Sequence, residues 1–301
     1  MKMNRLGQSE LMVSEIGLGC MSLGTEEVVA TSIIQTAFDQ GVTFFDTADL
    51  YDEGQNEEIV GKALKGHRHE VVIATKVGNR RIDGQAGWSW DPSKEYILSA
   101  VKKSMRRLGT DYIDLYQLHG GTIDDPMDET IAAFEQLKQE GWIREYGISS
   151  IRPNVIRHYA DHSNIVSVMN AYSVVDRRAE EEVLPLLKEK QISVIARGPL
   201  ASGVLATGRQ PDKAVNGYEI EELNQLRQQL TSLIDEEGGR TLTQLAIRYS
   251  LSDETVATVI PGASSALQLL QNIKASTVIL SDTEKQFIQQ VSKANKYELH
   301  R

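Results

Sequence analysis

The stretch whose pattern decides the fold is Asp91 to His119, DPSKEYILSAVKKSMRRLGTDYIDLYQLH. Its first part opens on Asp91 as a helix N-cap with Pro92 in the first turn. Ile97, Val101, Met105 and Leu108 then recur at helical spacing before Gly109. A side-chain oxygen that accepts from unpaired amides starts a helix, and a residue that tolerates a left-handed backbone ends one. The second part, Ile113-Asp114-Leu115-Tyr116, is too short for a helix and reads as a buried strand. A one-faced helix running through a brief turn into a short apolar strand is part of a β-α-β unit.

The same alternation extends in both directions. Upstream strand candidates are Glu15 to Gly19, Val42 to Phe45 and Val71 to Thr75; downstream ones are Ile143 to Ile148, Ile165 to Val168, Ile192 to Ala196 and Val256 to Ile260. A further helix is expected from Asp128 to Glu140, with Ile131, Phe134 and Leu137 as its apolar stripe and Gly141 beyond its end. Strands in strict alternation with helices make a parallel sheet, and strands apolar on both faces need cover on both sides. The expected fold is a single (β/α)₈ TIM barrel over residues 1–301. Residues 1 to 14 would form an N-terminal hairpin plugging one end, and an extra C-terminal helix would run from Asp282 to about Lys296. An open dinucleotide-binding sheet would carry G-x-G-x-x-G, and Gly17-Leu18-Gly19-Cys20-Met21-Ser22 lacks the third glycine.

Composition narrows the function. The chain has 301 residues, 41% of them hydrophobic and 25% charged, as in an ordinary globular protein. A formal net charge of −10 works against general nucleic-acid binding. No run approaches the ~20 apolar residues of a membrane span, and the N-terminal Met1-Lys2-Met3-Asn4-Arg5 leads into polar sequence, so a cytoplasmic protein is expected. The only cysteine, Cys20, leaves no cysteine cluster for a metal, and redox work would need an organic cofactor. His67 and His69 precede the third strand and read as surface residues, and Glu180-Glu181-Glu182 reads as a solvated helix start.

Three connections that follow strands are long: Val77 to Asp91, His119 to about Met127, and Gly198 to about Tyr218. In a barrel they share the C-terminal face, where sites are built. Asp46 stands just past the second strand with Tyr51 in the following loop, Lys76 ends the third strand, and His119 ends the fourth. Adjacent strands lie ~4.8 Å apart, so these groups converge on one pocket. Taken singly, each would more often be a surface or structural residue; together, on consecutive strand ends, they point to an active site.

The wording around these residues resembles the aldo-keto reductase family. The match runs through D-T-A-D-x-Y-x-x-G-x-N-E from Asp46 to Glu57, Ala74-Thr75-Lys76, and Asp111 to His119, and extends to Gly147-Ile148-Ser149-Ser150 and Ile260-Pro261-Gly262-Ala263. The resemblance implies a (β/α)₈ barrel, NADPH as cofactor with NADH as the variant, a small-molecule carbonyl substrate, and a tetrad of Asp46, Tyr51, Lys76 and His119. Hydride arriving at a carbonyl carbon leaves negative charge on oxygen, which a positioned acid must protonate. Tyr51 would be that acid, Lys76 would ease loss of its proton, Asp46 would hold Lys76 charged, and His119 would orient the carbonyl.

The resemblance also implies a cofactor path. Gly19, Cys20 and Met21 would border the nicotinamide and its ribose together with Asp46, while Ser149 and Ser150 would hold the carboxamide. Met169 stands where the family carries glutamine and has no donor to offer. Arg197 stands where a stacking tyrosine is common, and its planar guanidinium can also stack. Gly198, Pro199, Leu200, Gly203 and Leu205 would cross the pyrophosphate. Gly262, Ala263 and Ser264 lead into a helix start suited to a phosphate, with Gln268, Gln271 and Asn272 toward the adenine. No arginine or lysine lies between Ser264 and Gln271, where a 2′-phosphate is usually paired. Trp88 and Trp90 would wall the substrate pocket. A nicotinamide-sensing regulatory subunit with the same fold, and a barrel isomerase or hydrolase using Asp46 and His119, are the alternatives.

Overall fold

The computed structural model describes residues 1–82, 87–234 and 240–301. At its centre are eight parallel strands: β1 (Leu18–Gly19), β2 (Phe44–Asp46), β3 (Val72–Val77), β4 (Ile113–Leu118), β5 (Ile143–Ser149), β6 (Ser167–Ala171), β7 (Ser193–Arg197) and β8 (Val256–Ile260). Each pairs with its neighbours in sequence. The sheet closes on itself because Ile16 pairs with Val259 and Gly19 with Gly262. Gly17 N–H donates to the Val259 carbonyl at 2.8 Å, and Val259 N–H to the Glu15 carbonyl at 3.0 Å. This is the (β/α)₈ barrel read from the sequence.

Ten helices, α1 (Glu27–Asp39), α2 (Gln55–Leu64), α3 (Lys94–Leu108), α4 (Met127–Gln139), α5 (Pro153–His162), α6 (Val183–Glu189), α7 (Ile220–Leu230), α8 (Leu242–Ser250), α9 (Ala266–Ile273) and α10 (Asp282–Val291), lie among the described residues. Alternation along the strands sorts the core into two sets. Phe44, Val72, Ala74, Leu115, Met169, Ile195 and Ile260 fill the barrel interior, and Phe45, Ile73, Tyr116, Val168, Val194 and Val259 pack outward on the helices. The antiparallel hairpin Met3–Arg5/Met12–Ser14 inserts Leu6, Leu11 and Val13 into the interior set, so residues 1–14 plug the end where the strands begin.

Three expectations need correction. The N-cap of α3 is Ser93, whose Oγ accepts from Tyr96 N–H at 3.3 Å, while Asp91 braces that cap by accepting from Ser93 Oγ at 2.6 Å. The last helix ends at Val291 instead of Lys296, because Ser292 turns extended and Lys293 N–H bonds to the Tyr218 hydroxyl. Glu180, Glu181 and Glu182 are not merely solvated: Glu180 accepts from Arg177 and from the Tyr172 and Tyr249 hydroxyls, Glu181 pairs with Lys296 and Arg301, and Glu182 pairs with Arg157. Of these, the Glu181 pairs tie the chain after α10 to the residues just before α6. The connection after β3 also carries a small hairpin, Asn79–Arg80 with Ser89–Trp90, that periodicity did not reveal. Residues 83–86 of that connection lie outside the described residues.

Candidate active site

The strand ends bring the four ionisable groups together. Lys76, fully buried at the end of β3, directs Nζ to Asp46 Oδ2 at 2.7 Å, to the Thr47 carbonyl at 2.7 Å and to the Tyr51 hydroxyl at 3.2 Å. Burial alone would favour a neutral amine, but the Asp46 carboxylate and the Tyr51 oxygen outweigh it and hold the Lys76 ammonium above its ordinary range. Burial, reinforced by Asp46, raises Tyr51 against the opposing pull of Lys76, so the phenol keeps its proton. Gln117 Nε2 reaches Asp46 Oδ1 at 3.5 Å.

His119 continues β4, its N–H donating to the Val77 carbonyl at 2.7 Å, and its ring meets Tyr51 edge to face at 6.0 Å. Burial, then Lys76 and Arg197, push its pKa down to about 3, so the imidazole is neutral at physiological pH. A histidine held neutral in the fold but free to protonate in the unfolded chain stabilises the fold above its unfolded value of ~6.5 and loses that advantage as the pH falls. His119→Gln should therefore flatten the decline in stability between roughly pH 6 and 4. Urea midpoints across that range test this; slopes matching the parent protein would mean that His119 titrates normally.

Tyr51 is held by a tight turn. Its N–H bonds to the Ala48 carbonyl at 3.2 Å, and Asp52, Glu53 and Gly54 follow with φ of 46°, 60° and 91°. Arg107 of α3 lies over Gly54 so closely that a Cβ there would sit 2.7 Å from its Cδ, so a side chain at this left-handed position would have to push Arg107 aside. The Arg107 guanidinium donates through Nε to the buried Glu57 at 2.6 Å, and Glu57 also accepts from Thr75 Oγ1 at 2.6 Å. Glu57 thus links the turn carrying Tyr51 to the strand residue before Lys76. Asn56 adds a second tie, accepting from Thr47 Oγ1 at 2.7 Å and donating to the Cys20 carbonyl at 2.9 Å. Glu57 was visible as part of a motif but without a role, and nothing local marks Arg107. Because breaking a buried ion pair strands the remaining charge, Arg107→Met should cost about 3 kcal/mol in urea unfolding. An unchanged midpoint would mean that this pair contributes nothing.

A cavity of about 1570 Å³ opens over this cluster. Asp46, Tyr51, Lys76 and His119 line it together with Gly19, Met21, Ser149, Ser150, Met169 and Arg197. Gly198, Pro199, Leu200 and Gly203, and Gly262, Ala263, Ser264, Gln268, Gln271 and Asn272, line it too. Gln268 Oε1 accepts from Ser264 N–H and Oγ, both at 3.0 Å, and Asn272 Nδ2 donates to the Gly262 carbonyl at 3.1 Å, so these amides shape the turn into α9. Three expected residues stand behind the lining. Cys20 and Leu205 are buried in the outer core, and Trp90 packs on Gly78 and Gly120 with its indole N–H on Asp125 at 2.9 Å. Trp88 does line the cavity and is 56% exposed. Sequence reasoning missed the tail residues Tyr297 to His300, which also line it. Among the described residues, no group of three or more His, Cys, Asp or Glu could hold a metal ion, and no helix is long and apolar enough to cross a membrane.

Residues 15–293 match the Aldo/keto reductase family. The chain belongs to that family. This aldo/keto reductase is 53% identical to the uncharacterized oxidoreductase YqkF of Bacillus subtilis (strain 168), covering all of both chains. It is 29% identical to the NADH-specific methylglyoxal reductase of Escherichia coli (strain K12), over 98% of this chain and 99% of that one. It superposes on the holo form of aldo-keto reductase AKR11C1 from Bacillus halodurans with a TM-score of 0.95 and 54% identity, covering 100% of this chain and 99% of that one. The aldo/keto reductase is thus an oxidoreductase of carbonyl compounds that works with a nicotinamide cofactor.

Proposed function

We propose that the chain reduces aldehydes or ketones to alcohols with NADPH, that Tyr51 is the general acid, and that residues 1–301 work as one domain. The observation that carries this reading is the 3.2 Å contact between Lys76 Nζ and the Tyr51 hydroxyl, with Asp46 2.7 Å behind the ammonium. The donors lining the cavity suit a dinucleotide. Arg197 and Arg209 form no ion pair with a carboxylate among the described residues, and the turn into α9 presents a helix N-terminus for a phosphate. Arg209, which lies against Gly203, would set a cation beside the stretch that crosses the pyrophosphate; NADPH over NADH is the expectation of the family resemblance. Ser149 and Ser150 would grip the carboxamide, with Met169 beneath it.

The cofactor supplies hydride to the carbonyl carbon. Tyr51 then gives its hydroxyl proton to the carbonyl oxygen, which completes the alcohol and leaves a phenolate. The Lys76 ammonium stabilises that phenolate until solvent returns a proton, and Asp46 keeps Lys76 charged and aimed. Neutral His119 donates a hydrogen bond to the same oxygen and orients it. Since burial raises Tyr51 and its proton is needed for reduction, the rate should stay level through neutral pH and fall only above the ordinary phenol value of ~10.

The test is oxidation of NADPH and of NADH, followed by absorbance, with a panel of aromatic aldehydes, dicarbonyls and ketones over a range of pH. Consumption of NADPH matched by alcohol is the expected result. Failure of fluorescence titration to detect binding of either cofactor would overturn the reading.

A further inference from the structure

The geometry points to an anionic substrate: a carbonyl compound that carries a carboxylate, received by Arg152. This rests on the carbonyl-reducing reading above and specifies what enters the same site. The chain as a whole carries a net charge of −10, yet six of the eight Asp, Glu, Lys and Arg side chains lining the cavity are cationic. Three of these cations are neutralised. Lys76 pairs with Asp46, Arg178 with Asp176 at 2.7 Å, and Lys296 with Glu181 at 2.9 Å. Arg152, Arg197 and Arg209 form no ion pair with a carboxylate among the described residues.

The three lie on different parts of the wall. Arg197 ends β7 and Arg209 rests on Gly203, so both belong to the connection assigned above to the cofactor. Arg152 follows β5. Its Nη1 donates to the Gly121 carbonyl, just past His119, and its backbone N–H donates to Ser150 Oγ at 3.1 Å. Gly120 and Gly121, at φ of 132° and 121°, put no side chain between His119 and that guanidinium. A guanidinium has five N–H donors in a planar fork, and the one contact to Gly121 leaves others for a carboxylate.

The tail closes the same end. Asn154 N–H donates to the His300 carbonyl at 2.8 Å, bringing Leu299 and His300 to the cavity wall beside Arg152. A substrate with its carbonyl at Tyr51 and His119 and its carboxylate at Arg152 would satisfy a cation that otherwise has only a carbonyl partner. Its removal from water is offset by a charge-assisted, two-point contact that a neutral analogue cannot make.

The experiment compares 4-carboxybenzaldehyde with its methyl ester, an aldehyde of nearly the same shape without the charge. The acid should have a kcat/KM at least about 10-fold higher, and Arg152→Met should raise its KM about 10- to 100-fold while leaving the ester unchanged. Arg152→Lys, which keeps the charge but loses the fork, should recover part of that loss. Equal losses for both aldehydes would mean that Arg152 only holds the Gly121 turn, and the proposal would fall. Binding of terephthalate to the cofactor complex, read by fluorescence, serves as a measurement independent of turnover. No binding to the unmodified protein overturns the proposal; binding that Arg152→Met abolishes supports it, even if neither aldehyde is reduced, in which case the Tyr51 reading is what fails.

Discussion

Tyr51→Phe is expected to slow carbonyl reduction by at least about 100-fold while leaving cofactor affinity unchanged. The substitution removes one oxygen and little else. The ring keeps its edge-to-face contact with His119, and the turn through Asp52, Glu53 and Gly54 is held from outside by Arg107 and Glu57. What disappears is the proton donor and the 3.2 Å contact with Lys76. Cofactor binding by fluorescence beside steady-state rates separates the two effects. Turnover within a few fold of the parent protein would take Tyr51 out of the acid role.

Lys76→Met should damage both stability and rate. Asp46, 3% exposed, would keep Gln117 at 3.5 Å but lose its cation, and removing one partner of a buried ion pair typically costs 3 to 5 kcal/mol, so a loss of about that size is expected in urea unfolding. The same change deprives the Tyr51 phenolate of its stabilising ammonium, so residual reduction should be slower and its fall at alkaline pH should shift. A double substitution, Lys76→Met with Asp46→Asn, separates the two roles: removing the stranded charge should return much of the stability and none of the rate. A double variant that regained activity would show that the ammonium acts only by holding the fold together.

The barrel was legible because its signals are local and repeated. Short apolar strands bounded by glycine and separated by one-faced helices can be counted in a sequence, and their order then fixes which residues share a strand end. That is why Asp46, Lys76 and His119 could be placed in one pocket from position alone, and why Tyr51 followed from its motif. What escaped depends on partners far away in the chain. Arg107 meets Glu57 only because α3 packs on α2, and Glu180 adds the distant Tyr249 of α8 to its near neighbours Arg177 and Tyr172. Ser93 displaced Asp91 as a cap because two adjacent acceptors compete and geometry decides between them. Leu205 and Trp90 were placed by their loops, but the side of a loop that faces a cavity is set by tertiary packing. The tail at Tyr297 to His300 has no periodicity to announce it.

The seam of the barrel has a consequence for how the chain acquires its shape. Residues 15 to 19 receive one neighbour from β2, close by in sequence, and the other only from β8 and the turn after it, which lie most of the chain away. Bringing such distant segments together carries the largest loop-closure entropy of any junction in the wall, and pairings of that kind are slow to form. The first barrel strand to leave the ribosome is thus the last to gain both partners. Until β8 is made, the hairpin that later seals the barrel has no interior to fill, and Leu6, Leu11 and Val13 must wait in the open for a closure that only the final strand can provide.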